Sequence, residues 1–152
     1  MTALLPPSTN ADYHGSRFAA WFCMVLGLGW IGPGLVHTSL PDGGAGVIAG
    51  IDLAACRHII VAAFFWAGAT QIAHGLALLL IGWRYRPLVP IMLLISLGER
   101  TALAYSGWVR DAPGAGGHHP PEHYGSLILV PLILLFLLLS LRQSRGAPQT
   151  SR

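Results

Sequence analysis

The sequence predicts an all-α integral membrane protein, a bundle of four transmembrane helices. Three observations support this prediction. The chain of 152 residues is 53% hydrophobic and only 10% charged, whereas soluble domains carry about 25% charged residues. Four apolar segments each approach the ~20 residues that cross a bilayer. Short polar stretches separate them. We therefore predict a single membrane domain over residues 1–152, with disordered polar tails at 1–16 and 142–152.

The predicted spans follow from hydropathy and length. They are residues 18–40, 59–83, 88–109 and 121–141. The connection between the first two spans, residues 41–58, is rich in glycine and too short to cross a bilayer. Its later part, residues 47–56, is predicted as a short helix at the membrane interface.

Glycine patterns fall inside two of these spans. Residues 27–32 match the GxGxxG pattern of dinucleotide-binding proteins, but no strand precedes them and the surrounding segment is apolar, so we reject that interpretation. In the second span, Gly68, Gly75 and Gly82 recur at seven-residue spacing, which keeps them roughly on one helix face. We predict that these small residues form a seam of close helix packing.

The distribution of arginine predicts the orientation of the chain. The face that holds both termini carries Arg17, Arg84, Arg86, Arg142, Arg145 and Arg152. The opposite face carries Arg57 and Arg110. Because positively charged loops stay in the cytoplasm, we predict cytoplasmic termini, with loops 41–58 and 110–120 outside. The use of arginine without lysine is typical of a GC-rich bacterial genome, so we predict a bacterial cytoplasmic (inner) membrane.

The composition also limits the partners of the chain. The lipid bilayer is the predicted surroundings, and a chain of this size leaves little room for a pore of its own. Transport would therefore need a homo-oligomer or other membrane subunits. Nucleic acid is not a predicted partner, because the arginines lie at segment ends and form no basic patch.

The third span contains two charged residues, Glu99 and Arg100, about midway along its length. Each such charge at the bilayer centre costs about 2.5–3.5 kcal/mol on insertion scales. Side chains of adjacent helical residues point about 100° apart. We therefore expect Glu99 and Arg100 to find partners on neighbouring helices rather than to pair with each other.

Partners for these charges are predicted on the second span. The tight turn between the second and third spans makes them an antiparallel hairpin, which sets them side by side at matched heights. The predicted intramembrane polar cluster consists of Gln71, His74, Ser96, Glu99 and Arg100. Two interpretations are open. The cluster is either a proton-titratable or ligand-binding site, or a hydrogen-bonded cluster that fixes the helix packing.

The densest group of ionisable side chains lies just before the fourth span, in residues 118–124. Imidazole and carboxylate groups bind zinc, copper or nickel. The candidate metal ligands on the predicted outer face are His37, His58, His118, His119, Glu122 and His123. Three interpretations are open: a metal site, a pH-sensitive histidine surface, and the structural start of a helix, which two prolines followed by Glu122 favour.

These features predict a small polytopic membrane protein of non-enzymatic type. It would be an accessory protein or a small-molecule- or ion-handling protein, with the polar cluster as its site. The alternative is a membrane-embedded enzyme, redox or metal-dependent, that acts on a quinone or a metal-bound substrate at an outward-facing histidine-rich site. We predict no catalytic residues and no cofactor. A transition metal enters only through the histidine alternative.

Overall fold

A computed structural model describes residues 4–112 and 119–142 of the chain. Its long helices are α1 (Arg17–Ser39), α2 (Arg57–Arg84), α3 (Val89–Tyr105) and α4 (Pro121–Leu141). A π-helical turn, Ser106–Arg110, continues α3, and single 3-10 turns lie at Asn10–Asp12 and Arg86–Leu88.

The described part of the chain contains four helices that are long and apolar enough to cross a membrane. They run over Arg17–Ser39, Arg57–Arg84, Arg86–Arg110 and Pro121–Leu141. The prediction of an all-α chain with four such spans is therefore confirmed, and each predicted boundary falls within two residues of the observed one.

The glycine seam of α2 is confirmed as the place where α2 packs against α1. A Cβ atom built on Gly75 would lie 2.5 Å from the Gly27 carbonyl oxygen, and one built on Gly34 would lie 2.8 Å from the Gly68 carbonyl oxygen. Gly82 approaches the backbone of Ala20 in the same way. Only glycine allows the two backbones to come this close.

The connection between α1 and α2 is built around Asp42. Its carboxylate accepts hydrogen bonds from the backbone amides of Gly44, Gly46 and Val47 at 2.9–3.0 Å. These hydrogen bonds, of which the one from the Val47 amide has the largest effect, hold the pKa of the Asp42 carboxyl below its usual range.

The predicted short helix at 47–56 is wrong: residues 41–49 form successive turns, with Gly44 at φ +77°. Gly50, inside the predicted helix, has φ +68°, a left-handed conformation that ends a helical turn.

The segment before α1 lies against the turn between α2 and α3. The Pro6 carbonyl accepts from the Arg84 guanidinium at 2.9 and 3.1 Å, and Asn10 Nδ2 donates to the Trp83 carbonyl at 2.8 Å. Within residues 4–16, which were predicted as part of a disordered tail, Ser8, Thr9 and Asn10 donate to the carbonyls of Trp83 and Arg84 at the end of α2. The other predicted tail, 142–152, lies outside the described residues from 143 onward.

Helix α4 begins closer to the middle of the structure than α2 does. The Ser16 amide donates to the Leu139 carbonyl, so the last turn of α4 lies beside the start of α1. With 21 residues it is about 31 Å long, against about 42 Å for the 28 residues of α2. The first turn of α4 therefore lies beside the middle of α2, and α1, α2 and the Asp42 turn line the space above it.

We predict that Gly75→Ala lowers the stability of the protein by about 1–3 kcal/mol, the usual cost of overpacking. The new Cβ would meet the Gly27 carbonyl oxygen of α1. Gly98→Ala is the matched control, because a Cβ there has no other group within 4 Å, and alanine favours a helix by about 0.5–1 kcal/mol. Unfolding of the purified proteins by SDS in mixed micelles measures both. Equal stability of the two variants would contradict the seam.

We predict that the stabilising effect of Asp42 disappears at low pH. A carboxyl whose pKa is lowered by folding stabilises the folded state above its unfolded pKa, and this contribution is lost as the pH falls through the folded value. The Tm difference between wild type and Asp42→Asn should therefore shrink as the pH falls below about 4, the ordinary pKa of aspartate. Asp52→Asn is the control, since Asp52 accepts from the single amide of Ala54. A Tm difference for Asp42→Asn that stays constant with pH would contradict this role.

Candidate functional site

The structure brings the five residues of the predicted polar cluster together. On α2 and α3, His74 Nε2 lies 3.0 Å from Ser96 Oγ. His74 Nδ1 lies 3.9 Å from a carboxylate oxygen of Glu99. These contacts follow the matched heights expected for an antiparallel hairpin. Gln71 and Arg100 belong to the same group, but they meet through a residue of α4 rather than directly.

Arg100 is the centre of the cluster. Its side chain is only 6% exposed, and its two terminal nitrogens reach different carboxylates. Nη2 lies 3.3 Å from Glu99 Oε1, and Nη1 lies 3.2 Å from Glu122 Oε1. The guanidinium carbon also lies 4.0 Å from the ring centroid of Trp30. One planar cation therefore links α1, α3 and α4, which suits the several donors of arginine.

Two members of this cluster were missed by the sequence analysis. Trp30 Nε1 donates to both carboxylate oxygens of Glu99, at 3.2 and 3.1 Å, and its ring stacks on His74 at 5.5 Å. Glu122 accepts a hydrogen bond from Gln71 Nε2 at 3.2 Å. An indole N–H inside a span needs an acceptor, so Trp30 carried a usable signal. Glu122 had been assigned only to the outer histidine group.

The expectation that Glu99 and Arg100 do not pair is wrong. Their charged groups meet at 3.3 Å although the residues are adjacent. The long arginine side chain bends toward the carboxylate, and few other acceptors are within reach in an apolar span. The expectation that both charges also have partners on other helices is met by Trp30, His74 and Glu122.

The candidate metal ligands are dispersed in the structure. His37 Nδ1 hydrogen-bonds the Gly43 carbonyl oxygen at 2.6 Å, and Glu122 turns inward to Arg100. His58 lies at the exposed start of α2, beside Arg57. His118 lies outside the described residues. Within residues 4–112 and 119–142, no group of three or more His, Cys, Asp and Glu side chains is arranged to hold a metal ion.

His119 and His123 instead join the packing between the end of α3 and the start of α4. Their Nδ1 atoms lie 3.3 Å apart, and the His119 ring stacks on Trp108 at 4.0 Å. Trp108 Nε1 donates to the His123 carbonyl oxygen at 3.1 Å. A Cβ on Gly107 would collide with the His123 ring, so this contact is close. The arrangement favours the structural helix-start interpretation of these histidines.

Two cavities border the polar cluster. The first, of about 330 Å³, lies between α1 and α4 and is lined by apolar side chains together with Trp30, Gln71, Arg100 and Glu122. Gly29 and Gly125 form part of its wall, and a Cβ built on either has no neighbour within 4 Å. The second, of about 600 Å³, fills the space above α4 and includes His37 and His123. Both cavities are lined by Pro33 and Glu122.

The polar cluster is not fully satisfied by its own members. Within the described residues, Gln71 Oε1 and Arg100 Nε are buried and have no hydrogen-bond partner. Buried polar groups are nearly always paired, and an unpaired one costs about 1–3 kcal/mol. Both atoms belong to side chains in the wall of the first cavity.

The charges of the cluster are unequal as well. Glu99 and Glu122 share the single guanidinium of Arg100, so two carboxyl groups face one cation. His74 is the nearest further group that can carry a proton. An uncompensated charge in apolar surroundings is costly, so the site favours the uptake of one positive charge.

Comparison with protein-family models, curated proteins and solved structures finds no match to this chain. The function must therefore be argued from the site itself.

We predict that Arg100→Leu destabilises the protein by about 3 kcal/mol, the lower part of the range for removing one partner of a buried ion pair. The lower part applies because the Glu99 and Glu122 side chains are 41% and 38% exposed. Arg100→Lys should have an intermediate effect, since one ammonium cannot contact both carboxylates in the same way. SDS-induced unfolding measures both variants.

The control for this prediction removes the two carboxylates together with the cation. The triple variant Arg100→Leu, Glu99→Gln, Glu122→Gln should recover part of the lost stability, because no uncompensated charge remains. A triple variant that is less stable than Arg100→Leu alone would show that charge balance is not the dominant factor.

Proposed function

We propose that this chain is a non-enzymatic multi-pass membrane protein that handles a small molecule or an ion at the polar cluster between α1, α3 and α4. The proposal rests on one observation. Two buried polar atoms without partners, Gln71 Oε1 and Arg100 Nε, belong to the wall of a cavity next to a charged cluster.

This observation favours a binding site over a purely structural cluster. A cluster that served only to fix helix packing would be expected to satisfy its buried groups. Here the packing of α1 and α2 is supplied by the glycine seam, in which backbone carbonyls and glycines meet directly. Gly29 and Gly125 leave room beside the cluster that larger residues would fill.

The site is accessible to ligands of moderate size. The two cavities have volumes of about 330 and 600 Å³, in the range of ordinary small-molecule sites. Their walls are mainly apolar, and a few polar groups converge at one end of the first cavity. This combination is typical of sites that orient a small molecule by its polar part.

The membrane and orientation form part of this proposal. We place the four helices as a bundle in a bacterial cytoplasmic membrane, with both termini in the cytoplasm. Hydrogen bonds bring the start of α1, the turn between α2 and α3 and the last turn of α4 to one end. Arg17, Arg84 and Arg86 belong to that end, which supports a cytoplasmic location under the positive-inside rule. The histidine-rich end then faces outward.

We predict that two kinds of variant remove the function without removing the protein. Glu99→Gln changes the charge of the cluster, and Gly29→Leu fills the cavity. Both should shift tolerance or uptake toward the deletion phenotype when the chain is re-expressed in a strain that lacks it. The strains are compared across a panel of salts and small inhibitors, with membrane abundance measured for each.

Gly98→Leu is the matched control for this experiment. Gly98 is also helical with no neighbour near its Cβ position, but it is not part of the cavity wall, so the variant should behave like wild type. The opposite outcome is that Glu99→Gln has an effect only because the protein does not accumulate in the membrane, while Gly29→Leu behaves like wild type. That outcome would show that the cluster serves helix packing alone.

A further inference from the structure

Glu122 is the residue that connects the two cavities. It lines both of them, its side chain is 38% exposed, and it is hydrogen-bonded to Gln71 and Arg100. It lies in the first turn of α4, which begins beside the middle of α2. A molecule in either cavity would therefore lie next to its carboxylate.

The remaining acids at this end are engaged elsewhere. Asp42 is held by three backbone amides, and Asp111 pairs with Arg110 at 2.8 Å. Asp52 accepts from the amide of Ala54. Among these described acids, Glu122 is the one that faces the cavities, and it shares its guanidinium partner with Glu99.

The missing positive charge can be supplied in two ways. A proton can bind one of the two carboxylates or His74, or a cation can occupy the cavity. Because a bound proton and a bound cation would compensate the same negative charge, binding of one should weaken binding of the other. On this wall, the unpaired Gln71 Oε1 can accept a hydrogen bond from a ligand, and the unpaired Arg100 Nε can donate one.

The cavity walls favour an organic cation over a metal ion. A metal ion needs several converging oxygen, nitrogen or sulfur ligands, and the described residues provide no such group. The wall residues Phe22, Leu26 and Leu129 of the first cavity are apolar. The second cavity, which lies on the outward side in the proposed orientation (the outer cavity), adds Phe64 and Ile51. Such walls suit a hydrophobic body, while aromatic rings tolerate positive charge.

We infer that the two cavities bind a hydrophobic monovalent organic cation in exchange for one proton. The charge of the cation is held by Glu122, and Glu99 adds the second negative charge of the cluster. The inference rests on the proposed function and specifies its ligand. When the cation binds, its charge replaces that of one proton, which leaves the cluster for solvent. The net charge of the site is therefore unchanged.

The test compares two probes of similar shape and different charge. N-methyl-4-phenylpyridinium is a flat hydrophobic cation, and 4-methylbiphenyl is its neutral counterpart. Equilibrium binding is measured with the full chain in lipid nanodiscs. We expect wild type to prefer the cation, and Glu122→Gln to weaken cation binding by at least about tenfold while the neutral probe binds as before. Retained binding of the neutral probe also shows that the variant is folded.

Two controls separate this site from other charges. Asp111→Asn removes an acid at the same end that is paired with Arg110 and does not line the cavities, so it should leave cation binding unchanged. Calorimetry in two buffers of different ionisation enthalpy should show about one proton released per cation bound. His37 and His123 also line the outer cavity, so the release is measured again with both replaced by glutamine and should persist.

The outcomes distinguish this inference from the proposed function. Equal binding of both probes, or full cation affinity in Glu122→Gln, overturns the cation assignment and leaves a small-molecule site. If neither probe binds but Glu99→Gln and Gly29→Leu still change tolerance, the cation assignment again fails alone. If neither probe binds and those variants behave like wild type, both proposals fail. Should Glu122→Gln not fold, Glu99→Gln replaces it in the comparison of probes.

Discussion

The guanidinium of Arg100 is the group on which the arrangement of α1, α3 and α4 depends. Apolar helices gain little from contact with each other in lipid, because the lipid chains are as apolar as their side chains. A buried cation, by contrast, must be met by partners. Arg100 meets Glu99 on its own helix, Glu122 on α4 and the ring of Trp30 on α1. The cost of placing the cation there is offset only when those three helices lie side by side.

The glycine seam between α1 and α2 acts together with this interaction. Trp30 comes three residues after Gly27, and His74 comes just before Gly75, so the close contact of Gly27 with Gly75 brings the two aromatic rings together. A change in helix spacing at the seam would therefore move Trp30 relative to Glu99. Packing and site geometry therefore share the same few residues.

The sequence predicted the parts of this structure that depend on one segment or one hairpin. Hydropathy located the four spans, and the short turn after α2 set His74 beside Ser96. Trp30 and Glu122 were missed as members of the cluster because their contacts depend on the rotation and depth of α1 and α4. The hydrophobic periodicity of the sequence does not give the rotation or the depth of a helix. Glu122 follows two prolines, a pattern typical of an ordinary helix start. In the structure, α4 begins beside the middle of α2, which places Glu122 next to Arg100. The contacts of Pro6 and Asn10 could not be predicted, since unpaired carbonyls at a helix end leave no pattern in a distant segment.

The position of Glu122 has a consequence for how the site can respond. Its carboxylate binds Arg100 and faces both cavities, so a ligand in the outer cavity and a proton in the cluster act on the same group. Coupling between two binding events is reciprocal: whatever a ligand does to the proton affinity of the cluster, protonation does to the affinity for the ligand. Because the second cavity and the cluster share Glu122, binding in that cavity can act directly on the charge of the cluster.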